Sequence, residues 1–149
     1  MPPGTYVYEY PRPSVTVDNV IVTRDQEPRV LLIRRRDEPF AGCWALPGGF
    51  VEVDEPLDTA AQRELFEETG VKSTNLVQLH TFGNPKRDPR GWTISVAYLA
   101  QVDADQVKPC AADDAVEVGW FSLEQPPPLA FDHKEILSVA RNYLKDRHG

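Results

Sequence analysis

The sequence predicts an α+β fold or an α/β/α sandwich, and three observations carry that expectation. Several β-branched or alternating segments read as strands on both sides of a sharply punctuated helix. A second amphipathic helix closes the chain. Strands mixed with two separated helices bury their apolar faces most simply as layers around one sheet.

The elements follow in chain order. Ser14 to Val22 (SVTVDNVIV) is rich in β-branched residues and reads as a strand. Thr23 to Pro28 is polar, charged and closed by proline, which makes it a hairpin turn. Val30 to Ile33 is a buried strand running out into Arg34, Arg35 and Arg36, and Pro39 to Gly42 breaks the chain. Trp44 to Gly49 is a short extended segment ending in a sharp glycine turn. Pro56 suits the first turn of the next helix, where its missing N–H costs nothing, and Gly70 closes that helix in the left-handed region. Leu76 to Phe82 is a strand, and Gly83 to Gly91 is a loop rich in proline and charge. Trp92 to Val102 alternates as a central strand, and Val116 to Phe121 is a last short strand. Asp132 to Arg147 sets Ile136, Leu137, Ala140, Tyr143 and Leu144 at helical spacing, with Asp132 as N-cap and His133 as a helix-start residue.

A length of 149 residues suits one domain, 1–149. The formal charge of −7 argues against a nucleic-acid surface, which needs a basic patch, and leaves room for small anionic substrates. Two cysteines, Cys43 and Cys110, are too few for a disulfide framework or a four-cysteine zinc site, and read as free thiols in a reducing cytoplasm. The N-terminus has no signal-peptide pattern, and no apolar run is long enough to span a bilayer. A cytoplasmic protein without a membrane partner is the expectation.

The helix ending at Gly70 carries Glu64, Glu67 and Glu68 on an arc of about 100°. Like charges at these spacings destabilise an isolated helix, and Arg63, one turn before Glu67, offers the relief. A solvated acidic face is the ordinary explanation of such a run. Two features favour a hard divalent cation instead. The arc continues into Leu57, Ala60 and Ala61, a face that should pack, and the helix follows a glycine turn suited to metal and phosphate contact.

Gly49, five residues, Glu55, seven residues and then Arg63-Glu64-Leu65-Phe66-Glu67-Glu68-Thr69-Gly70-Val71 resemble the signature of the Nudix hydrolases without a departure. The resemblance implies a Nudix fold, with a mixed sheet between helices and the signature as loop–helix–loop. It also implies that Glu64, Glu67 and Glu68 hold Mg²⁺ (Mn²⁺ as a substitute), with help from the Gly49 carbonyl. Glu55 would support the helix and the arginine, Arg63 would orient a metal-binding glutamate, and Glu67 or Glu68 would act as base. Asp113 and Asp114 sit where the family often places a further acid, although paired aspartates before a strand are also ordinary turn chemistry.

The implied reaction is hydrolysis of a pyrophosphate in a nucleoside diphosphate derivative. Arg35 or Arg36, at a strand end, would take a phosphate through the guanidinium fork or lie on the surface. The loop from Thr81 to Gly91, with Pro85 fifteen residues past Gly70, resembles that of ADP-ribose pyrophosphatases, as do Tyr8 to Pro13 and Leu129 to His133. Arg87 and Arg90 would then contact the diphosphate or terminal ribose, against a reading as loop solubility. Tyr8, Tyr10 or Phe82 would stack on adenine. For the tyrosines, packing of the N-terminal arm in a homodimer competes. Cleavage of ADP-ribose to AMP and ribose 5-phosphate is the leading expectation. The alternatives are another nucleotide (an oxidised nucleoside triphosphate, a nucleotide sugar or a dinucleoside polyphosphate) and a non-catalytic ADP-ribose-sensing module. The intact signature favours an enzyme over such a sensor, whose metal-binding box is often degraded. Sensors of that kind also normally add a C-terminal DNA-binding domain.

Overall fold

The computed structural model describes residues 4–72, 75–111 and 115–148. Among them seven strands form one sheet. Five follow a continuous path, β3 (Trp44–Ala45), β2 (Arg29–Arg35), β1 (Ser14–Thr23), β6 (Thr93–Val102) and β5 (Val77–Phe82). Two more join it, β4 (Gly48–Phe50) beside β1 and β7 (Ala115–Ser122) beside β2. The sheet is mixed: β1 and β6 run parallel from Ser14↔Thr93 to Thr23↔Val102, and the other pairs are antiparallel. The predicted hairpin brings Val22 opposite Val30.

Helix α1 (Leu57–Thr69) covers one face and α2 (His133–His148) the other, so the layers are α/β/α. Strand periodicity explains why β1 is buried nearly throughout, since its two sets of side chains face different layers. Val17 packs with Ala60, Ala61 and Tyr98 beneath α1, and Ile21 with Leu65. Val20 and Val22 pack with Leu32, Ala97, Ile136, Leu137 and Ala140 beneath α2. Asn19 also faces α1, where its amide donates to the Ala61 carbonyl at 3.1 Å.

Three local expectations need correction. Gly48 and Gly49 belong to strand β4, paired with Asp18 and Val17, rather than to a sharp turn. Their small size serves close approach: a Cβ on Gly48 would lie 2.1 Å from the Val17 carbonyl oxygen. Pro56 is the N-cap of α1, with extended ψ of 146°, and its carbonyl accepts the Ala60 N–H. Asp132 gives its backbone carbonyl to the start of α2, but its carboxylate is taken by Arg87 rather than capping the helix. Gly70 closes α1 in the left-handed region at φ 75°, its N–H donating to the Phe66 carbonyl.

Candidate active site

The inward face of α1, strand β4, the end of β2 and the loop before β6 enclose a cleft of about 530 Å³. Its acidic wall comes from one helical turn and a half. Arg63 is the hub. Its Nε and Nη2 donate to the two Glu55 carboxylate oxygens at 2.7 and 3.0 Å. Its Nη1 donates to Glu64 at 2.8 Å and Glu67 at 3.1 Å, and its Nη2 also reaches the Phe50 carbonyl. These charge-assisted bonds tie the helix to the segment that precedes it. They raise the Arg63 pKa, chiefly through Glu55, and hold the Glu55 carboxyl below its ordinary range.

Glu68 is buried and its Oε1 accepts the Gly48 N–H at 2.6 Å, which joins α1 to β4. Glu64 lies against Gly49, where a Cβ would come within 2.6 Å of its carboxyl carbon. Burial pushes the Glu64 carboxyl up, against the opposing pull of Arg63. Among the described residues no group of three His, Cys, Asp or Glu side chains already converges as a metal cage. The carboxylates turn instead to Arg63 and to the Gly48 amide. The donor set nevertheless fits a hard divalent cation: Glu64, Glu67 and Glu68 face one cleft, and a single guanidinium cannot neutralise all three.

The opposite wall is cationic and aromatic. Arg35 and Arg90 each place the guanidinium carbon 5.1 Å from the Phe131 ring centre, and Arg90 is also 4.8 Å from that of Phe50. Desolvation, with repulsion from Arg90, lowers the Arg35 pKa. Arg35 Nε donates to the Pro39 carbonyl, and its two Nη nitrogens have no hydrogen-bond partner among the described residues. Arg90 uses Nε and Nη2 on Asp88, leaving Nη1 without one among the described residues.

The expected site residues therefore separate into groups. Gly49, Arg63, Glu64, Glu67, Glu68, Arg35, Arg36, Arg87 and Arg90 all line the cleft. Arg36 contacts Asp37 at 3.5 Å. Arg87 is spent on a fork with Asp132, at 2.8 and 2.5 Å, with only 3% of its side chain exposed. Tyr8 stacks on Tyr6 and under Arg12, Tyr10 is exposed, and Phe82 packs with His80 against the core beneath α2. None of these three rings lines the cleft; among the described residues the phenyl rings that do are Phe50 and Phe131, with the His133 imidazole beside them. Asp113 and Asp114 lie outside the described residues.

Sequence reasoning passed over a buried network at the back of the cleft. Asp18, on β1, accepts from the Ser95 hydroxyl, and its Oδ1 stands 3.4 Å from His133 Nε2. His133 Nδ1 accepts the Leu46 N–H at 3.0 Å, so the ring proton resides on Nε2, toward Asp18. Burial alone would raise the Asp18 pKa, but His133, Ser95 and Arg87 bring it below the ordinary value. One signal was available: Asp18 is the single charge inside the apolar run Ser14 to Val22.

An acidic helix with an arginine brace, set beneath a mixed sheet and opposite a guanidinium wall, defines a class of phosphate-handling α/β/α proteins. Residues 12–140 match the model of the NUDIX domain, and the chain belongs to the Nudix hydrolase family. It is 41% identical over 140 residues to an ADP-ribose pyrophosphatase of Methanocaldococcus jannaschii, covering 94% of this chain and 78% of that protein. It is also 41% identical over 144 residues to an ADPR-responsive transcriptional repressor of Acinetobacter baylyi, covering 93% of this chain and only 57% of the repressor. Among solved structures, the NUDIX domain of Shewanella oneidensis NrtR complexed with ADP ribose superposes with a TM-score of 0.80 at 38% identity, over 91% of this chain and 90% of that one. A bifunctional NMN adenylyltransferase/ADP ribose pyrophosphatase of Francisella tularensis, complexed with AMP and a manganese ion, gives 0.78 at 33% identity, over 91% of this chain and 43% of that one.

Proposed function

We propose that this chain hydrolyses ADP-ribose to AMP and ribose 5-phosphate, with Mg²⁺ as its cation and Mn²⁺ able to replace it. The observation that carries the reading is the pairing of two walls in one cleft. Glu64, Glu67 and Glu68 face inward from one side, and the Arg35 and Arg90 guanidiniums from the other. The likeness to an archaeal ADP-ribose pyrophosphatase and to an ADP-ribose-bound NUDIX domain selects the substrate. The same proposal takes residues 1–149 as one catalytic domain working in the cytoplasm on a small nucleotide, as a homodimer.

Glu64, Glu67, Glu68 and the Gly49 carbonyl would hold the cation. Such an ion supplies Lewis acidity, acidifying water and drawing charge from phosphoryl oxygens. Arg63 fixes the rotamers of Glu64 and Glu67 through its Nη1. Glu67 or Glu68 takes the proton of the attacking water as its oxygen bonds to phosphorus. The bond from that phosphorus to the bridging oxygen breaks, and the leaving phosphate keeps the electron pair. Arg35 through its Nη nitrogens and Arg90 through Nη1 bind the diphosphate oxygens, which is the positioning that phosphoryl transfer depends on.

Sensing without cleavage is the second reading, favoured by the equal identity to the repressor. Incubation with ADP-ribose, 8-oxo-dGTP and NADH under Mg²⁺ separates these readings. The expected products are AMP and ribose 5-phosphate. Intact ADP-ribose beside cleavage of another compound overturns the substrate assignment, and tight binding without cleavage supports the sensor.

A further inference from the structure

The turn that leads into α2 has an unusual density of long-range anchors. Ala130 donates its N–H to the Trp44 carbonyl, and Asp132 forks to Arg87. His133 is bonded at one ring nitrogen to the Leu46 amide and faces Asp18 with the other. Phe131, between these anchors, sits at φ 53°, a conformation that a bulky residue adopts only when its surroundings impose it. Its ring meets Phe40 edge-on at 4.9 Å and the His133 ring at 5.5 Å, and it carries the Arg35 and Arg90 guanidiniums.

From this geometry we infer that His133 is a positioning residue for substrate binding, holding Phe131 as the platform that sets the spacing of Arg35 and Arg90. The inference rests on the reading of those arginines as the diphosphate-binding wall. Two like-charged guanidiniums would otherwise separate. The negative face of the Phe131 ring attracts both, and the ring stays in place only while the backbone strain at Phe131 is opposed. His133 supplies that opposition from the adjacent buried position, being 4% exposed and tied to β1 and to the β3–β4 connection. Its polar partners are the Leu46 amide and Asp18 rather than the glutamates, so its loss acts on binding rather than on the chemical step.

The test uses the full chain with His133→Ala, Phe131→Leu and the double variant. Phe131→Leu keeps an apolar side chain and leaves every bond of His133 in place, so it reports on the platform even where His133→Ala unfolds α2. ADP-ribose binding is measured by calorimetry in EDTA, and ADP-ribose hydrolysis by steady-state kinetics under Mg²⁺. Each single variant is expected to raise Kd and KM by about tenfold, the order lost when a charge-assisted contact is displaced, with kcat changed by less than about threefold. The double variant should be no worse than the poorer single one, because both act through one platform. His133→Asn, whose Oδ1 can accept the Leu46 N–H, should recover part of the affinity. Unchanged Kd and KM in Phe131→Leu overturn the inference while leaving the proposed reaction standing. Additive losses, or a fall confined to kcat, overturn it as well. A parent protein that neither binds nor cleaves ADP-ribose overturns both readings.

Discussion

A methyl group at Gly49 would lie 2.6 Å from the Glu64 carboxyl carbon, whereas one at Gly48 would lie 2.1 Å from a main-chain oxygen. The neighbouring glycines should therefore fail in different ways. Gly48→Ala has no flexible partner to displace, and overpacking of this kind costs about 1–3 kcal/mol, read as a lower urea midpoint. Gly49→Ala pushes on a side-chain end, the Glu64 carboxylate, rather than on main chain. It should fold with near-parental stability and require a higher Mg²⁺ concentration for half-maximal activity. Glu68→Gln keeps the shape of a buried group that meets the Gly48 amide. It should retain the fold yet lose at least about a hundredfold in kcat, the order expected when a group acting in the transition state is lost. Full activity in that variant would count against the carboxylate site itself.

At the scale of elements, α1 is held by its core face and offers its acidic face to the cleft. Leu65 is fully buried between β1 and β2 residues, so Leu65→Ala should destabilise the protein by about 2–5 kcal/mol, checked by denaturant titration. That loss should come without a change in Mg²⁺ requirement, because Leu65 packs with Ile21 and Leu31 in the core and does not line the cleft. Arg63→Lys tests the other face. One ammonium cannot reproduce a guanidinium that donates to Glu55, Glu64, Glu67 and the Phe50 carbonyl at once. The variant should lose most of its activity while melting only slightly earlier, seen by comparing initial rates with thermal midpoints.

Across the whole molecule, several carboxylates link stability to pH. Asp88 is lowered from 3.8, against the opposing effect of burial, by Arg90. Glu55 is lowered from 4.5 by Arg63. A depressed folded value means that the unfolded chain binds protons first on acidification. The stabilisation is thus whole at neutral pH and is lost as pH falls below about 4 and on through the folded values. Thermal midpoints measured from pH 7 downward should fall steeply there, and Asp88→Asn should flatten part of the slope. Glu64 has the opposite sign: burial raises its folded value, so ionising it costs stability as pH rises from 4.5. A divalent cation relieves that cost, and at neutral pH Mg²⁺ should raise the thermal midpoint while EDTA returns it.

The segment from Gly49 to Val71 was legible in the chain because its information is local. Spacing of three and four residues puts Glu64, Glu67 and Glu68 on one arc, and Gly70 ends the helix where only a left-handed residue fits. Strand periodicity likewise located β1, β2, β5, β6 and β7 to within a residue or two. Composition could not say which arginines are already occupied. Arg87 and Arg90 look alike in sequence, yet one is buried on Asp132 across 45 residues, while the other pairs with nearby Asp88 and rests on two phenylalanine rings. Asp18 meets Ser95 across 77 residues, and Leu46 meets His133 across 87. Such partners are chosen by strand order and by where α2 docks, because burying a charge or an imidazole is tolerable only where the fold delivers a matching group. The arrangement of the carboxylates on the helix was thus set by the chain's own periodicity. The cationic wall opposite it exists only once the sheet has brought distant segments together.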